Sequence, residues 1–356
     1  RQKGYCRMSL IIAVLMLGII IMIHEFGHFL FAKLNGIGVI EFSLGMGPRI
    51  WSCEKGGTRY SFKALPFGGS CMMLGEDEND SDEHAFNNKS VWARISVVAA
   101  GPVFNFLLAF ILSLVLVGAL GYNTTKLLSV TEGYPAQLAG LQAGDVITSV
   151  NGRKVHSFDE FKAYLFTHPQ KDLDLTWHRT DPSGKQDSYS ARISPVYSKD
   201  SGSYVIGVAF DAMPKAVQNP TELLVQGLYQ VRFQIQYVFD TLSMMVRGMV
   251  SLNDISGPVG IVVEIDRTVD AVAPAGAMAI ILMVVQLIVL LSANLGVMNL
   301  LPIPALDGGR LVFLIIEAVR GKPIDKEKEG MVHMAGMMLL LALMVLILFN
   351  DVRKLF

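Results

Sequence analysis

His24, Glu25 and His28 are the residues of this chain whose types and spacing point most directly to chemistry. They form an H-E-x-x-H sequence, HEFGH, inside a long apolar run. Residues i and i+4 of an α-helix lie one turn apart on the same face, so two imidazoles at this spacing can grip one Zn2+. Glu25 stands beside them, within reach of a water on that metal. Zinc lowers the pKa of such a water from its bulk value to about 7, and a carboxylate base then yields a hydroxide able to attack a peptide carbonyl. The chemistry implied is amide hydrolysis with Glu25 as base. The bland alternative is a set of helix residues snorkelling to an interface. Three ionisable groups in an apolar segment cost several kcal/mol unless they serve a site, and with only seven histidines in the chain a chance match is a poor account.

A catalytic zinc takes three protein ligands and keeps an open position. Carboxylates in or beside later apolar runs are Glu41, Asp307 and Glu317. Asp307 lies in NLLPIPALDGG, where Pro302 and Pro304 break a helix and Gly308 and Gly309 free the backbone. Irregular backbone at membrane depth is tolerated chiefly where it lines a cavity. Glu317 sits in a smoother run, LVFLIIEAV, and reads as a helix-face residue near an interface. The pattern favours Asp307 and leaves the other two as alternatives.

The elements that must position these groups are membrane helices. Of 356 residues, 52% are hydrophobic and 17% charged, too apolar for an ordinary soluble enzyme. A helical span needs about 20 apolar residues to cross a hydrocarbon core about 30 Å thick. The organisation expected is a first transmembrane helix over 9–34, a cytoplasmic loop with a membrane-associated β-hairpin over 35–98, and a second span over 99–120. A globular domain follows over 121–212, then an amphipathic helix and linker over 213–272, a third transmembrane region with Asp307 over 273–320, and a fourth helix with the C-terminus over 321–356. Lys and Arg are enriched in cytoplasmic loops. Lys33, Arg49, Lys55, Arg59, Lys63, Lys89 and Arg94 put the first loop there, and Arg310, Arg320, Lys322, Lys326 and Lys328 do the same for the last. The globular domain and both termini then lie outside. Arg1, Lys3 and Arg7 run against this, and because Met8 stands where the apolar run begins, residues 1–7 are left out of the topology.

A net charge of −1 without clustered basic residues excludes a nucleic-acid partner. Cys6, Cys53 and Cys71 have no C-x-x-C spacing and read as incidental thiols. His156, His168 and His178 lack metal-ligand spacing and read as surface residues.

HEFGHF at His24–Phe29, FSLGMGPRI at Phe42–Ile50, PFGG at Pro66–Gly69, AAGPVFNFLLA at Ala99–Ala109, SGPVGI at Ser256–Ile261 and NLLPIPALDGG at Asn299–Gly309 occur in the order found in one family. Over nearly its whole length the chain resembles the site-2 proteases, of the bacterial type with a single PDZ domain. The resemblance implies a polytopic α-helical membrane protein with four transmembrane helices, an inserted PDZ-like β-barrel domain and a membrane-associated β-hairpin loop. It implies a zinc metalloprotease that hydrolyses peptide bonds within transmembrane segments in regulated intramembrane proteolysis, acting on single-span membrane proteins such as anti-sigma factors or signal-peptide remnants. The implied zinc ligands are His24, His28 and Asp307, the implied base is Glu25, and Asn299 is implied to contact the substrate backbone. The implied location is the bacterial inner membrane, among lipid, with the PDZ domain outside. Some members carry two PDZ domains in tandem; here there is room for one. A non-proteolytic membrane scaffold or a metal-binding transporter is the competing class, and neither needs a base beside two ligands.

The PDZ resemblance rests on SVTEGYPAQLAGLQAGDVITSVNGRKV from Ser129. Its turn signals predict a helix from Pro135, a strand over Val146–Val150 closed by Asn151-Gly152, a helix over Phe158–Phe166, and strands near Leu173–His178 and Tyr204–Phe210 that complete a small barrel. Beyond it, Leu224, Leu228, Val231, Ile235, Val238, Leu242, Met245 and Met249 mark one face of a helix. Arg232, Asp240 and Arg247 interrupt that face, so the helix is expected to lie along the membrane surface or against other helices rather than to cross. In the first loop, Thr58–Leu65 is rich in strand formers and runs into Pro66, Phe67, Gly68 and Gly69. It is expected to form a hairpin edge dipping toward His24, with Phe62, Gly68 and Gly69 contacting a substrate strand.

Overall fold

Ser9–Leu34 has a mean hydropathy of 2.4 and forms most of one helix, α1, Gln2–Leu34. The computed structural model describes residues 2–76, 80–169, 171–250 and 257–355, so Ser256 of the SGPVGI segment lies outside the described residues. They divide into two units, Arg1–Leu112 with Val250–Phe356, and Ser113–Met249. After α1 come two long strands, β1 (Val39–Lys55) and β2 (Thr58–Met73). Gly56 and Gly57, both at positive φ, make the two-residue turn between them, a backbone shape that suits the twist of a hairpin. Both strands bend, so residues 41–44 pair on one side with 69–72 and on the other with 59–62, while 51–55 pair with 58–62. Thr58–Phe62 is therefore interior to the sheet, and its expected role as the free edge is corrected: the edges are 69–73 and 51–55.

Helix α2, Val91–Leu120, begins at Val91 and not at Ala99. Ser90 caps it, its Oγ accepting from the Ala93 N–H at 3.3 Å. Arg94, expected as a loop charge, lies inside the helix because Glu317 neutralises it. The packing beneath the hairpin joins Ala32 and Ile37 to Val39, Met73, Phe86, Val97, Val98 and Leu314, all buried.

The second unit is mainly antiparallel β. Its elements are β3 (Leu127–Val130), α3 (Pro135–Leu138), β4 (Val146–Val150), β5 (Arg153–Lys154), α4 (Phe158–Thr167), β6 (Leu173–Thr180), β7 (Gln186–Ile193), β8 (Val196–Ser198), β9 (Ser203–Val205) and β10 (Val208–Phe210). A four-stranded sheet runs β5-β4-β6-β7, with β10-β3 and β8-β9 as separate pairs, so the described residues form open sheets and no closed barrel. β7 has an exposed, polar face along most of its length, which is why periodicity did not reveal it. Helix α4 is capped by Ser157, whose Oγ accepts from the Glu160 N–H, while the Glu160 side chain reaches back to accept from the His156 N–H. The core gathers Leu127, Ile147, Val150, Phe161, Leu173, Leu175, Trp177 and Ile206. Helix α5, Pro220–Val246, is held to β5 by Arg153, which donates to Gln236 and pairs with Asp240 at 2.6 Å.

The chain returns to the first unit with α6 (Pro258–Val272), α7 (Ala277–Leu300), α8 (Asp307–Arg320) and α9 (Lys326–Leu355). With α1 and α2, α7 and α9 complete four helices long and apolar enough to cross a membrane. Ile265 and Val269 of α6 pack on Ala13, Met16 and Ile20 of α1. The buried Asp351 carboxylate of α9 accepts from the N–H groups of Gly257 at 3.1 Å and Gly260 at 2.9 Å, satisfying donors that a helix N-terminus leaves open. That is the structural use of the SGPVGI segment.

In the hairpin, the buried Glu41 carboxylate accepts from Arg49 at 2.7 Å and from the Ser61 hydroxyl, with Lys63 at 3.7 Å. The Arg49 hydrogen bond above all holds this carboxyl down to about 2, from an ordinary 4.5. A lowered native value stabilises the fold above the unfolded pKa, and that contribution disappears as pH falls through the folded one. Amide protection in β1, corrected for intrinsic exchange, is therefore expected to fall between pH 4.5 and 2. Glu41→Gln is expected to show weakened, pH-independent protection over that interval; equal wild-type protection at both ends would remove this ion cluster from the account.

Candidate metal centre

The helical spacing does what the sequence expects of it. His24 and His28 sit one turn apart on α1, both buried, with ring centroids 4.8 Å apart and planes at 83°. Asp307 is the first residue of α8, where the positive end of the helix dipole favours a carboxylate. Its Oδ2 lies 3.1 Å from His24 Nε2 and 3.4 Å from His28 Nε2, and the two Nε2 atoms are 3.2 Å apart. All three ligand atoms fall within 4.8 Å of one another.

Contacts on the far side of each ring set its orientation. His28 Nδ1 donates to the Val97 carbonyl at 2.9 Å, which leaves the Nε2 lone pair directed at Asp307. The Asn105 carboxamide stands 3.1 Å from His24 Nδ1 through its nitrogen, while its oxygen finds no hydrogen-bond partner. The two ends of an amide have the same shape. With the oxygen turned to His24, Nδ1 donates to it and the second Nε2 lone pair also faces the centre. Sequence reasoning missed both Asn105 and the Val97 carbonyl. Asn105 lies in AAGPVFNFLLA, where a polar residue in an apolar helix was the available signal.

The backbone of α2 closes over the pair. A Cβ on Gly101 would stand 2.3 Å from His28 Nε2 and 2.8 Å from His24 Cε1, and one on Gly27 would stand 2.5 Å from the Ala100 carbonyl oxygen. Only glycine permits this crossing of α1 and α2.

With both rings in that tautomer, two nitrogen lone pairs and a carboxylate oxygen converge on one point. Asp307 Oδ2 is buried and finds no hydrogen-bond donor. Such a set repels itself in a low-dielectric interior and is satisfied by a cation. Two imidazoles and one carboxylate, with the remainder open, are a donor set suited to a catalytic zinc. The residues present fit that ion.

Asn299, at the end of α7, brings its Nδ2 to 3.4 Å from His24 Nε2. Gly69 lies against Glu25: a Cβ there would be 3.0 Å from Glu25 Cγ. Gly68 is packed on the Met46 side chain. Phe62 pairs with Leu44 and Trp51 inside the sheet, apart from this edge. Glu41 is committed to Arg49, and Glu317 forms a two-point ion pair with Arg94, so neither joins the centre. Gly308 and Gly309 have ordinary negative φ; the residue at positive φ is Ala305. The two glycines are needed for room, since a Cβ on Gly308 would lie 2.2 Å from the Leu301 carbonyl oxygen. The three domain histidines are half-buried at the surface: His156 stacks on Tyr229, His168 on Tyr164, and His178 meets the Ser188 hydroxyl. Cys53 and Cys71 are free thiols.

Residues 12–343 match peptidase family M50. The chain is 37% identical to a candidate zinc metalloprotease of Clostridium acetobutylicum, with 97% of each chain covered. It is 31% identical to the regulator of sigma-W protease RasP of Bacillus subtilis over 98% of this chain and 99% of that one. That alignment runs to 433 residues, so the relative contains segments that this chain lacks. Zinc metalloprotease RasP of Geobacillus kaustophilus is 30% identical, with 98% of each chain covered. A solved PDZ domain, from the SdrC-like protein of Listeria monocytogenes, is similar over 25% of this chain and 88% of its own, at 24% identity and a TM-score of 0.22. The match across nearly the whole chain, on top of a donor set that fits zinc inside apolar helices, makes this protein a member of peptidase family M50, the site-2 proteases, which are intramembrane zinc metalloproteases.

Proposed function

We propose that His24, His28 and Asp307 hold the zinc ion of this protease and that Glu25 is its general base. The carrying observation is the convergence of three lone-pair donors within 4.8 Å. When bound, zinc supplies Lewis-acid polarisation of the scissile carbonyl and lowers the pKa of water. Glu25 then accepts the proton of the attacking water and delivers it to the leaving amine. Asn299 donates from Nδ2 to a substrate backbone carbonyl beside His24.

A transmembrane substrate hides its peptide bonds in i to i−4 hydrogen bonds, so it must unwind before any carbonyl can react. Unwinding in lipid costs several kcal/mol per unpaired group, and pairing with a protein strand offsets much of it. The strand edge suited to this is Gly69–Met73, which lies against Glu25 at Gly69. The hairpin accordingly dips into the membrane. The exposed apolar side chains of Met46, Ile50, Trp51 and Leu65 support that reading.

The second unit is read as one PDZ domain, from the resemblance of its sequence. It either adds an extended peptide to a sheet edge or caps the site sterically. Loop charge supports an outside location for it and a bacterial inner-membrane location for the chain. Single-span membrane proteins are the proposed substrates. Anti-sigma factors and signal-peptide remnants are the proposed examples, and the sigma-W name of the Bacillus relative supports the first of these.

Glu25→Gln keeps the side chain's shape and loses its basicity, so purified Glu25→Gln is expected to retain zinc while cleavage falls about a hundredfold or more. Near-normal cleavage would sink the mechanism. Asp307→Asn is expected to lose zinc on dialysis, whereas Glu317→Gln, which breaks only the Arg94 pair, keeps it; the reverse pattern would refute the ligand set. For substrate entry, spans containing Gly or Ser are expected to be cut faster than all-Leu spans, because they weaken the helix. A proline at Cys71 is expected to slow cleavage without releasing zinc. Equal rates on both kinds of span would exclude strand addition.

A further inference from the structure

We propose that His333 of α9 is a positioning residue for Asp307, so that the third ligand is presented only while α9 is seated on the turn between α7 and α8. The proposal rests on the reading of Asp307 as a metal ligand. Between Leu300 and Asp307 the chain leaves helical geometry through Pro302 and Pro304. Ala305, two residues before the ligand, sits at φ 76°, a left-handed conformation that an alanine adopts only when its surroundings impose it.

Part of that constraint is local, since the Leu306 N–H donates to the Ile303 carbonyl at 3.2 Å across Pro304 and Ala305, a turn whose third residue takes positive φ. Helix α9 ties this turn from outside. The Ala305 N–H donates to His333 Nδ1 at 3.0 Å. Three residues further along the same face, Gly336 brings the α9 backbone against Pro304: a Cβ there would lie 2.4 Å from Pro304 Cβ and 2.6 Å from its carbonyl oxygen. Phe313 of α8 meets the His333 ring at 5.7 Å between centroids, so one imidazole touches both sides of the ligand-bearing turn. His333 and Met337 also share, with Asp307 and Arg310, the wall of a cavity of about 540 Å3.

This contact matters because α9 is little buried by its neighbours. Only 6% of its apolar window is buried, against 28% to 39% for the other three candidate spans. A helix that supplies no ligand thus braces the backbone two residues before one, adding the His333 hydrogen bond and the close Gly336 contact to the turn's own Leu306-to-Ile303 bond. Its seating and the completeness of the metal site are the same event.

The test is zinc affinity of the full-length protein in detergent, by chelator competition, together with the visible spectrum of the cobalt-substituted form, which reports ligand geometry. His333→Leu fills the space without an acceptor; His333→Asn places an oxygen near the position of Nδ1. We expect His333→Leu to weaken zinc binding about tenfold, as loss of a supporting hydrogen bond around a metal site typically does, and to shift the cobalt bands. His333→Asn should restore both, and Gly336→Ala, with His333 intact, should also weaken binding. Wild-type affinity and spectrum in His333→Leu would overturn the proposal, and so would equal loss in the Leu and Asn variants, which would make His333 a packing residue. Asp307→Asn in the same series separates the two readings: if it binds zinc normally the ligand set is wrong, whereas if it alone loses zinc the ligand set stands and the positioning role fails.

Discussion

Three lone-pair donors forced together in an apolar helical unit are the constraint on which the rest of this structure depends. In a low-dielectric interior His24 Nε2, His28 Nε2 and Asp307 Oδ2 gain nothing from one another without a cation, so the scaffold must hold them against their mutual repulsion. It does so from several directions. α1 fixes the imidazole spacing, the Val97 carbonyl and Asn105 fix the rings, α2 closes over them at Gly101, and the N-terminus of α8 supplies a favourable site for the carboxylate. On the proposed assignment, zinc chemistry then needs only Glu25, which α1 places next to His24.

What could be read in the sequence was what a single element encodes. The H-E-x-x-H pair is legible because i and i+4 share a helix face whatever surrounds them. Asp307 was favoured because prolines mark a broken helix, and a broken helix in a membrane marks a cavity. The roles of Val97 and His333 were not legible, and Asn105 showed only as a polar residue in an apolar helix, because each acts through a residue 69 to 81 positions away, or 28 in the case of His333. Glu317 illustrates the same limit: its exclusion from the centre depends on Arg94, 223 residues earlier, and Arg94 had itself read as a loop charge. In the hairpin the strand formers were right and the edge was wrong. Alternation tells which face a residue occupies, but the double pairing of residues 41–44 depends on where the long strands bend. Gly308 and Gly309 read as freeing the backbone, whereas their use in the structure is room.

Strand pairing bears directly on what this enzyme must do. Hydrolysis inside a bilayer requires that a helix give up hydrogen bonds where no water can replace them. In the proposed mechanism a sheet edge beside Glu25 offers such replacements at the point of attack, and the interior segment Thr58–Phe62 backs that edge by pairing with residues 41–44. Glu41, tied to Arg49, Ser61 and Lys63, pins the same strand through its side chain. On that proposal the hairpin is part of the reaction's energetics: its stability sets how much of the unwinding cost can be offset without the sheet itself yielding.

Lipid also changes what holds the helices in place. Apolar side chains gain little by leaving lipid for a protein neighbour, so helix positions are set by close contacts and by polar groups that have no other partner. The first unit follows this rule at each junction. Ser9 meets Asp266 between α1 and α6, Arg94 meets Glu317 between α2 and α8, Arg310 of α8 meets Glu76 after the hairpin, and Asp351 of α9 meets the backbone of Gly257 and Gly260. For α9 the polar attachments are concentrated near its two ends, Asp351 at one and His333 at the other, with a long exposed apolar stretch between them. A helix held that way is removed from its neighbours at the cost of a few hydrogen bonds rather than a core. The His333 bond is the one that braces the turn before Asp307, so on the proposed assignment an event that loosens α9 there loosens the third ligand as well.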